Sequence, residues 1–158
     1  MSPAPLTGRR ALVTGGSRGI GAAIVRRLAA DGAAVAFTYG RSATEAERLA
    51  DEVTSRGGTA LAIQADAADA TQTAAAVEQA VAGLGGLDVL VNNAGTAYLV
   101  PVEDFPDEEF DRLVAINIGG VFWSCRAAIP ILATGRGSST SAASTPIASP
   151  GRGWRCME

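Results

Sequence analysis

The sequence predicts an α/β protein, a doubly wound parallel sheet with helices on both faces, and three observations predict it. Short apolar runs alternate with amphipathic segments of helical period along the chain. Glycines stand where the helices should stop, at Gly32, at Gly57-Gly58 and at Gly85-Gly86. A glycine-rich string, Thr14-Gly15-Gly16-Ser17-Arg18-Gly19-Ile20-Gly21, joins the first apolar run to the first helical pattern. Right-handed helical crossovers between parallel strands place a ligand outside the C-terminal strand ends.

Ala11–Thr14 reads as the first strand, and Gly19–Asp31 as the helix after it, with Ile24, Val25 and Leu28 on its apolar face. Strands at Ala33–Tyr39, Thr59–Ala65 and Leu87–Asn92 follow, separated by helices at Thr44–Ser55 and Ala70–Ala82. The last helix, Pro106–Leu132, is the longest. Pro106 suits a first helical turn, and Asp107-Glu108-Glu109 suit the positive end of its dipole. Phe110, Leu113, Val114, Asn117 and Val121 fall on one stripe of it, so Asn117 is expected as a polar residue on a buried face. Neither a repeat nor a second domain is visible.

The strand, turn and helix around Gly15–Gly21 are the arrangement that seats a dinucleotide. Glycines let the backbone turn tightly and approach a pyrophosphate, and the helix start at Ile20 points free N–H groups at it. Such a string is weak evidence alone, since tight turns use glycine for steric reasons. Here its strand-and-helix context supports cofactor binding. The second strand bears on which cofactor. Holding the ribose hydroxyls of NAD needs an acidic residue near that strand's end, and Gly32–Thr44 contains neither Asp nor Glu. It reads Phe37-Thr38-Tyr39-Gly40-Arg41-Ser42 instead. Arg41 and Arg18 suit a 2′-phosphate, so NADP(H) is expected, against the bland reading of two solvated surface charges.

Composition bounds the rest. A chain of 158 residues with 47% hydrophobic and 18% charged residues suits one globular domain. The net charge of −3 argues against nucleic acid or an anionic membrane surface as partner. The longest charge-free stretches, Val89–Val102 and Gly137–Gly151, fall short of a bilayer span, and Met1-Ser2-Pro3-Ala4-Pro5 lacks the pattern of a signal peptide. Cys125 and Cys156 suggest free thiols in a reducing cytoplasm. There is no histidine, which excludes a Ser-His-Asp triad and a His-ligated metal site, and no metal is expected. All 13 basic residues are arginine.

Four landmarks carry a resemblance. Gly15, Gly19 and Gly21 are spaced as T-G-x-x-x-G-I-G, Asp66-Ala67 ends the third apolar run, Asn92-Asn93-Ala94-Gly95 ends the fourth, and Asn117 lies mid-helix. In order and spacing they resemble the classical short-chain dehydrogenase/reductase family, from about Leu6 to Leu132, and so imply a Rossmann-type fold. The resemblance implies that the backbone at Asn93, Ala94 and Gly95 lines the cofactor cleft. It implies that Asp66 accepts a hydrogen bond from the adenine amino group. Asn117, by the same token, helps hold a water in a proton-relay path, against the alternative of a satisfied core asparagine. Asp66 has the alternative role of capping its turn, and Asn-Ala-Gly that of a plain corner.

Family members are longer and carry a catalytic serine and a Tyr-x-x-x-Lys helix, in which tyrosine protonates the carbonyl oxygen of a small-molecule substrate. This sequence has no lysine and no tyrosine after Tyr98. Residues 1–133 are therefore expected as an incomplete dinucleotide-binding domain, truncated after the fourth strand and its long helix, and 134–158 as an irregular tail. A natural Ser/Ala/Pro tail is one reading. A shifted reading frame is the sharper one. Moved one base upstream, TCN codons for Ser138, Ser139 and Ser141 become Phe, Leu, Ile or Val. Codons for Thr140 become Asn, Asp, His or Tyr, and those for Ala142 and Ala143 become Gly, Ser, Arg or Cys. Ile-Val-Asn-Ile-Gly-Ser is allowed, and it is what the family's fifth strand and serine look like. Alternatives to an inactive reductase part are a non-catalytic NADP-binding or interaction module and a fragment without function; the helices that would bundle in a family-like homo-oligomer are partly missing.

Overall fold

The computed structural model describes residues 4–134. Four parallel strands, β1 (Arg10–Val13), β2 (Ala34–Tyr39), β3 (Thr59–Gln64) and β4 (Val89–Val91), form one sheet in the order β3-β2-β1-β4. Helices α1 (Gly19–Ala30), α2 (Ala43–Ser55) and α3 (Ala70–Leu84) make the crossovers. The chain steps outward from β1 to β3, then returns past β1 to β4. That reversal opens a crevice between the C-terminal ends of β1 and β4, where doubly wound sheets take their ligands.

Both faces of the sheet are covered, which is why its central strands are apolar throughout rather than alternating. Val13, Val35 and Phe37 pack under α1 and α2 with Val25, Leu49 and Val53. Leu12, Ala36, Ile63 and Leu90 pack on the other face with Ala76, Val77 and Ala80 of α3. Phe37 is wholly buried, a contribution of about 1.5–3 kcal/mol by area removed from water. The expected glycine stops hold, with Gly32, Gly57 and Gly85 at φ +93°, +82° and +75°, where a Cβ would be strained.

One ion pair ties the base of β1 to β4. Arg10 Nε donates to Asp88 Oδ2 at 2.8 Å and Nη2 to Oδ1 at 3.0 Å, while the Arg10 backbone N–H also reaches Oδ2 at 2.9 Å. These hydrogen bonds from the Arg10 guanidinium hold the Asp88 carboxyl below the usual carboxylate range, against the cost of its burial.

The long C-terminal helix departs from expectation in its register. It comprises α4 (Asp107–Val114), a π-helical turn at Ala115–Gly119 and α5 (Gly120–Thr134). Phe110, Val114 and Asn117, expected on the buried face, are exposed, while Leu113 and Val121 are half-buried. The residues that turn inward are Ile116, Gly120, Ser124 and Ala128, four apart, and Ala128 packs into the core on the α3 face of the sheet. A π turn takes up extra residues per revolution, so it rotates the inward face relative to an unbroken α-helix. Phe110, Ile118 and Phe122 are exposed, and Asp107–Leu132 is long and apolar enough, by length and composition only, to cross a membrane. Of the stretch 134–158, expected as an irregular, out-of-frame tail, Thr134 is the last residue of α5 and 135–158 lie outside the described residues.

Candidate functional site

The glycine-rich turn is held from two sides. From β2, Thr38 Oγ1 accepts the Gly15 N–H at 3.0 Å and Thr38 O accepts the Gly16 N–H at 2.8 Å. From the loop after β4, Asn93 Nδ2 donates to Thr14 O at 3.0 Å and to Gly15 O at 2.9 Å. Thr14 Oγ1 in turn accepts the Asn93 and Ala94 N–H groups, each at 3.0 Å. Gly15 sits at φ +65°, and a Cβ there would lie 2.8 Å from Ala94 Cα. Gly21 is buried in the first turn of α1, and a Cβ there would overlap Gly15 O and lie 2.5 Å from Asn93 Nδ2. Glycine is thus required where turn, helix and loop meet.

The start of α1 is left open. Arg18 occupies the N-cap in extended geometry with no side-chain cap, and the first turn holds no acidic residue. By contrast, Asp69 caps α3 by accepting the Gln72 N–H at 2.9 Å. The first N–H groups of α1 therefore lack a side-chain acceptor at the positive end of the helix, which suits a phosphate. Arg18, Gly19 and Ile20 are exposed there, and Ser17 is half-buried.

Arg41 follows β2 and is exposed; Ser42 is the N-cap of α2 and makes no side-chain cap. Among the described residues neither Arg18 nor Arg41 has a hydrogen bond or ion pair from its guanidinium. Asp66 follows β3, and its Oδ1 accepts the Ala68 N–H at 2.9 Å, so it does cap its turn. Its second carboxylate oxygen makes no hydrogen bond among the described residues, and Ala67 beside it is half-buried. Gly15, Arg18, Arg41, Asp66 and Asn93 thus all stand at the C-terminal ends of the strands, around one rim.

Asn117 lies in the π turn and is exposed, yet both ends of its amide are engaged. Asn117 Oδ1 accepts the Thr96 N–H and Nδ2 donates to Thr96 O, both at 2.9 Å. This reciprocal pair ties the loop beyond Gly95 to the helix, and a Cβ on Gly95 would lie 3.3 Å from Asn117 Oδ1. Seven residues further on, about two turns, buried Ser124 donates to Asn92 Oδ1 at 2.6 Å, and Asn92 Nδ2 donates to Cys125 Sγ at 3.3 Å. The wider path ascribed to Asn117 needs groups that the described residues do not include.

Sequence reasoning passed over Thr38, Asn92, Thr96 and Ser124 as site residues, and quoted Thr14 without giving it a role. Thr14 and Thr38 are both buried polar residues at strand ends, a signal for a hydroxyl that accepts backbone N–H groups. Ser124 carries no such local signal, because its partner is 32 residues away.

The pattern of the short chain dehydrogenase family matches residues 9–146, past the Leu132 where the landmarks above run out. Elsinochrome reductase 1 of Elsinoe fawcettii is 43% identical over 135 residues, 85% of this chain and 51% of its own length. A short-chain dehydrogenase/reductase from Serratia marcescens superposes with a TM-score of 0.79 at 52% identity, over 81% of this chain and 52% of that one. A blue fluorescent protein from a metagenomic library, solved in complex with NADPH, gives a TM-score of 0.77 at 50% identity, over 79% and 51% of the two chains. The chain spans about half the length of the curated relatives it matches. With the strand order, the glycine turn and the Asn-Ala-Gly loop already in place, these matches show that the chain belongs to the short chain dehydrogenase family.

Proposed function

We propose that these residues form the NADP(H)-binding part of an oxidoreductase that reduces a ketone or 3-oxoacyl-type carbonyl by hydride transfer. The observation that carries the cofactor assignment is the open start of α1 together with Arg18 and Arg41, whose guanidinium groups have no partner among the described residues, with no carboxylate in Gly32–Thr44. The structural neighbour solved with NADPH supports it. The turn Gly15, Ser17, Gly19, Ile20 and Gly21 would hold the pyrophosphate. Arg18 and Arg41, near Ser42, would hold the 2′-phosphate, and Asp66 and Ala67 the adenine. Asn93, Ala94 and Gly95 line the nicotinamide side. The cofactor supplies the hydride; the protein supplies orientation.

Carbonyl reduction also needs a general acid. Among the 158 residues there is no lysine, and no tyrosine follows Tyr98. Loss of a general acid costs about 10²–10⁴-fold, so this polypeptide binds cofactor without appreciable turnover, and Asn117 alone does not restore it. On this reading residues after about Arg136 are translated out of frame. The Ser/Ala/Pro composition from Gly137 to Pro146 supports that, and the family match through residue 146 weighs against it. In the shifted frame the Met157 codon reads Tyr or His, fourteen positions after the recovered serine at 143.

Two measurements test the proposal. Purified polypeptide with NADPH and a panel of β-ketoesters should give background rates, and turnover typical of the family overturns it. The gene read past codon 136 in the shifted frame should encode Val-Asn-Ile-(Gly/Ser)-Ser and then Tyr-x-x-x-Lys from position 157. A stop codon within a few positions removes the frame-shift reading and leaves a non-catalytic NADP-binding module.

A further inference from the structure

A cavity lies at the other end of the sheet from the glycine turn. It has a volume of about 510 Å³ and is formed at the amino ends of β1, β2 and β3 and the carboxyl ends of α1 and α2. That is within the roughly 300–1,000 Å³ of small-molecule sites. Four arginines line it, Arg9, Arg10, Arg26 and Arg56, with Glu52 as the single carboxylate. In a chain whose net charge is −3, such a gathering of cations is a local reversal of sign.

Helix dipoles account for part of it. The carboxyl ends of α1 and α2 each carry about half a negative charge, which favours arginine nearby. Among the described residues the four guanidinium charges face Glu52 and the Asp88 bound to Arg10; the carboxyl end of α3 also reaches the cavity through Leu84 and Gly85, so about half a positive charge remains after three helix dipoles are met. The pairing is also uneven. Arg26 Nε donates to Glu52 Oε2 at 2.9 Å, and Arg56 Nη2 shares that carboxylate, 3.3 Å from Oε1. Arg9 is half-buried, and among the described residues its guanidinium has neither a hydrogen bond nor an ion pair. Gly8 and Gly57, both at positive φ, leave their stretches of the wall without a side chain.

We propose that this basic cavity is a second anion site, which takes a small molecule bearing a phosphate or diphosphate group between Arg9, Arg26 and Arg56. Guanidinium forks match phosphate oxygens pairwise, and Arg26 and Arg56 keep unused N–H donors after serving Glu52. The site is about 20 Å from the cofactor rim, the length of six-residue β2 at roughly 3.3 Å per residue. It does not depend on the cofactor assignment.

The test is a titration of the 158-residue protein with inorganic pyrophosphate, followed by ¹⁵N NMR of arginine side chains and backbone amides. The background is Arg18→Ala/Arg41→Ala, so that the opposite rim contributes no guanidinium. Saturable shifts at Arg9, Arg26 and Arg56 are expected, with sodium chloride at matched ionic strength giving none. Arg9→Ala, which breaks no side-chain hydrogen bond or ion pair among the described residues, should weaken binding at least ten-fold while the backbone spectrum elsewhere is preserved. Shifts confined to the Gly15–Gly21 amides, shifts that follow ionic strength alone, or unchanged affinity in Arg9→Ala each overturn the proposal.

Discussion

Gly21→Ala separates helix propensity from close packing, because the two predict opposite signs. Gly21 lies inside α1, where alanine is favoured over glycine by about 1 kcal/mol. The new methyl, however, overlaps Gly15 O and comes within 2.5 Å of Asn93 Nδ2. The first obstacle is backbone, so no side-chain rotation relieves it. Moving the turn breaks the two Asn93 bonds at 2.9 and 3.0 Å, worth about 1 kcal/mol each. Overpacking adds about 1–3 kcal/mol. After the propensity gain the net loss is about 2–4 kcal/mol, a large share of the roughly 5–15 kcal/mol typical of a domain. Urea unfolding of both proteins measures it, and the midpoint should fall by about 1–2 M. Gly19→Ala is the control: with φ at +54° and no atom within 4 Å, it should cost only the left-handed strain of about 1–2 kcal/mol. A Gly21→Ala protein as stable as the parent, or less affected than Gly19→Ala, would refute the reasoning.

Asp88→Asn should cost about 1–3 kcal/mol at pH 7, discounted for the partial exposure of Arg10. Because the Arg10 guanidinium holds the Asp88 carboxyl down, its contribution is complete above the ordinary aspartate value of about 3.9 and is lost as pH falls below it; the gap between parent and variant in urea midpoints should close there. Ile116→Ala should destabilise by about 2–4 kcal/mol, whereas Ile118→Ala, at 65% exposure, should stay within about 0.5 kcal/mol; equal effects would contradict the register of the π turn. Asn117→Ala removes both bonds to Thr96 and should increase hydrogen exchange in the loop after Gly95, with a loss of about 1–2 kcal/mol. Unchanged exchange at Thr96 would show that the loop is held by something else.

The sheet, its helices and their glycine stops were legible because each rests on a local signal. Val35 and Phe37 sit in an apolar run, and Gly85 follows a helical pattern. The turn at Gly15–Gly21 was legible for the same reason. The face of the last helix was not, because a π turn changes the period that the stripe Phe110-Leu113-Val114-Asn117-Val121 assumed. Nor were the clamps that hold the site. Thr38 meets Gly15 across 23 residues, and Asn93 meets Gly15 across 78, so only the folded chain shows them as partners. Asn93 illustrates the difference: its place in a motif pointed to the cleft, while its amide is spent on fixing the turn that forms the cleft.

The central claim is that Arg18 and Arg41 flank the 2′-phosphate of NADP(H) at the open start of α1. Calorimetric titration of the 158-residue protein with NADPH and with NADH tests it most directly. Each charge-assisted contact is worth about 1.5–3 kcal/mol, so NADPH should bind at least ten-fold more tightly, and Arg41→Ala should erase most of that preference without weakening NADH. Tighter binding of NADH, or a preference for NADPH that survives removal of both arginines, would contradict the account.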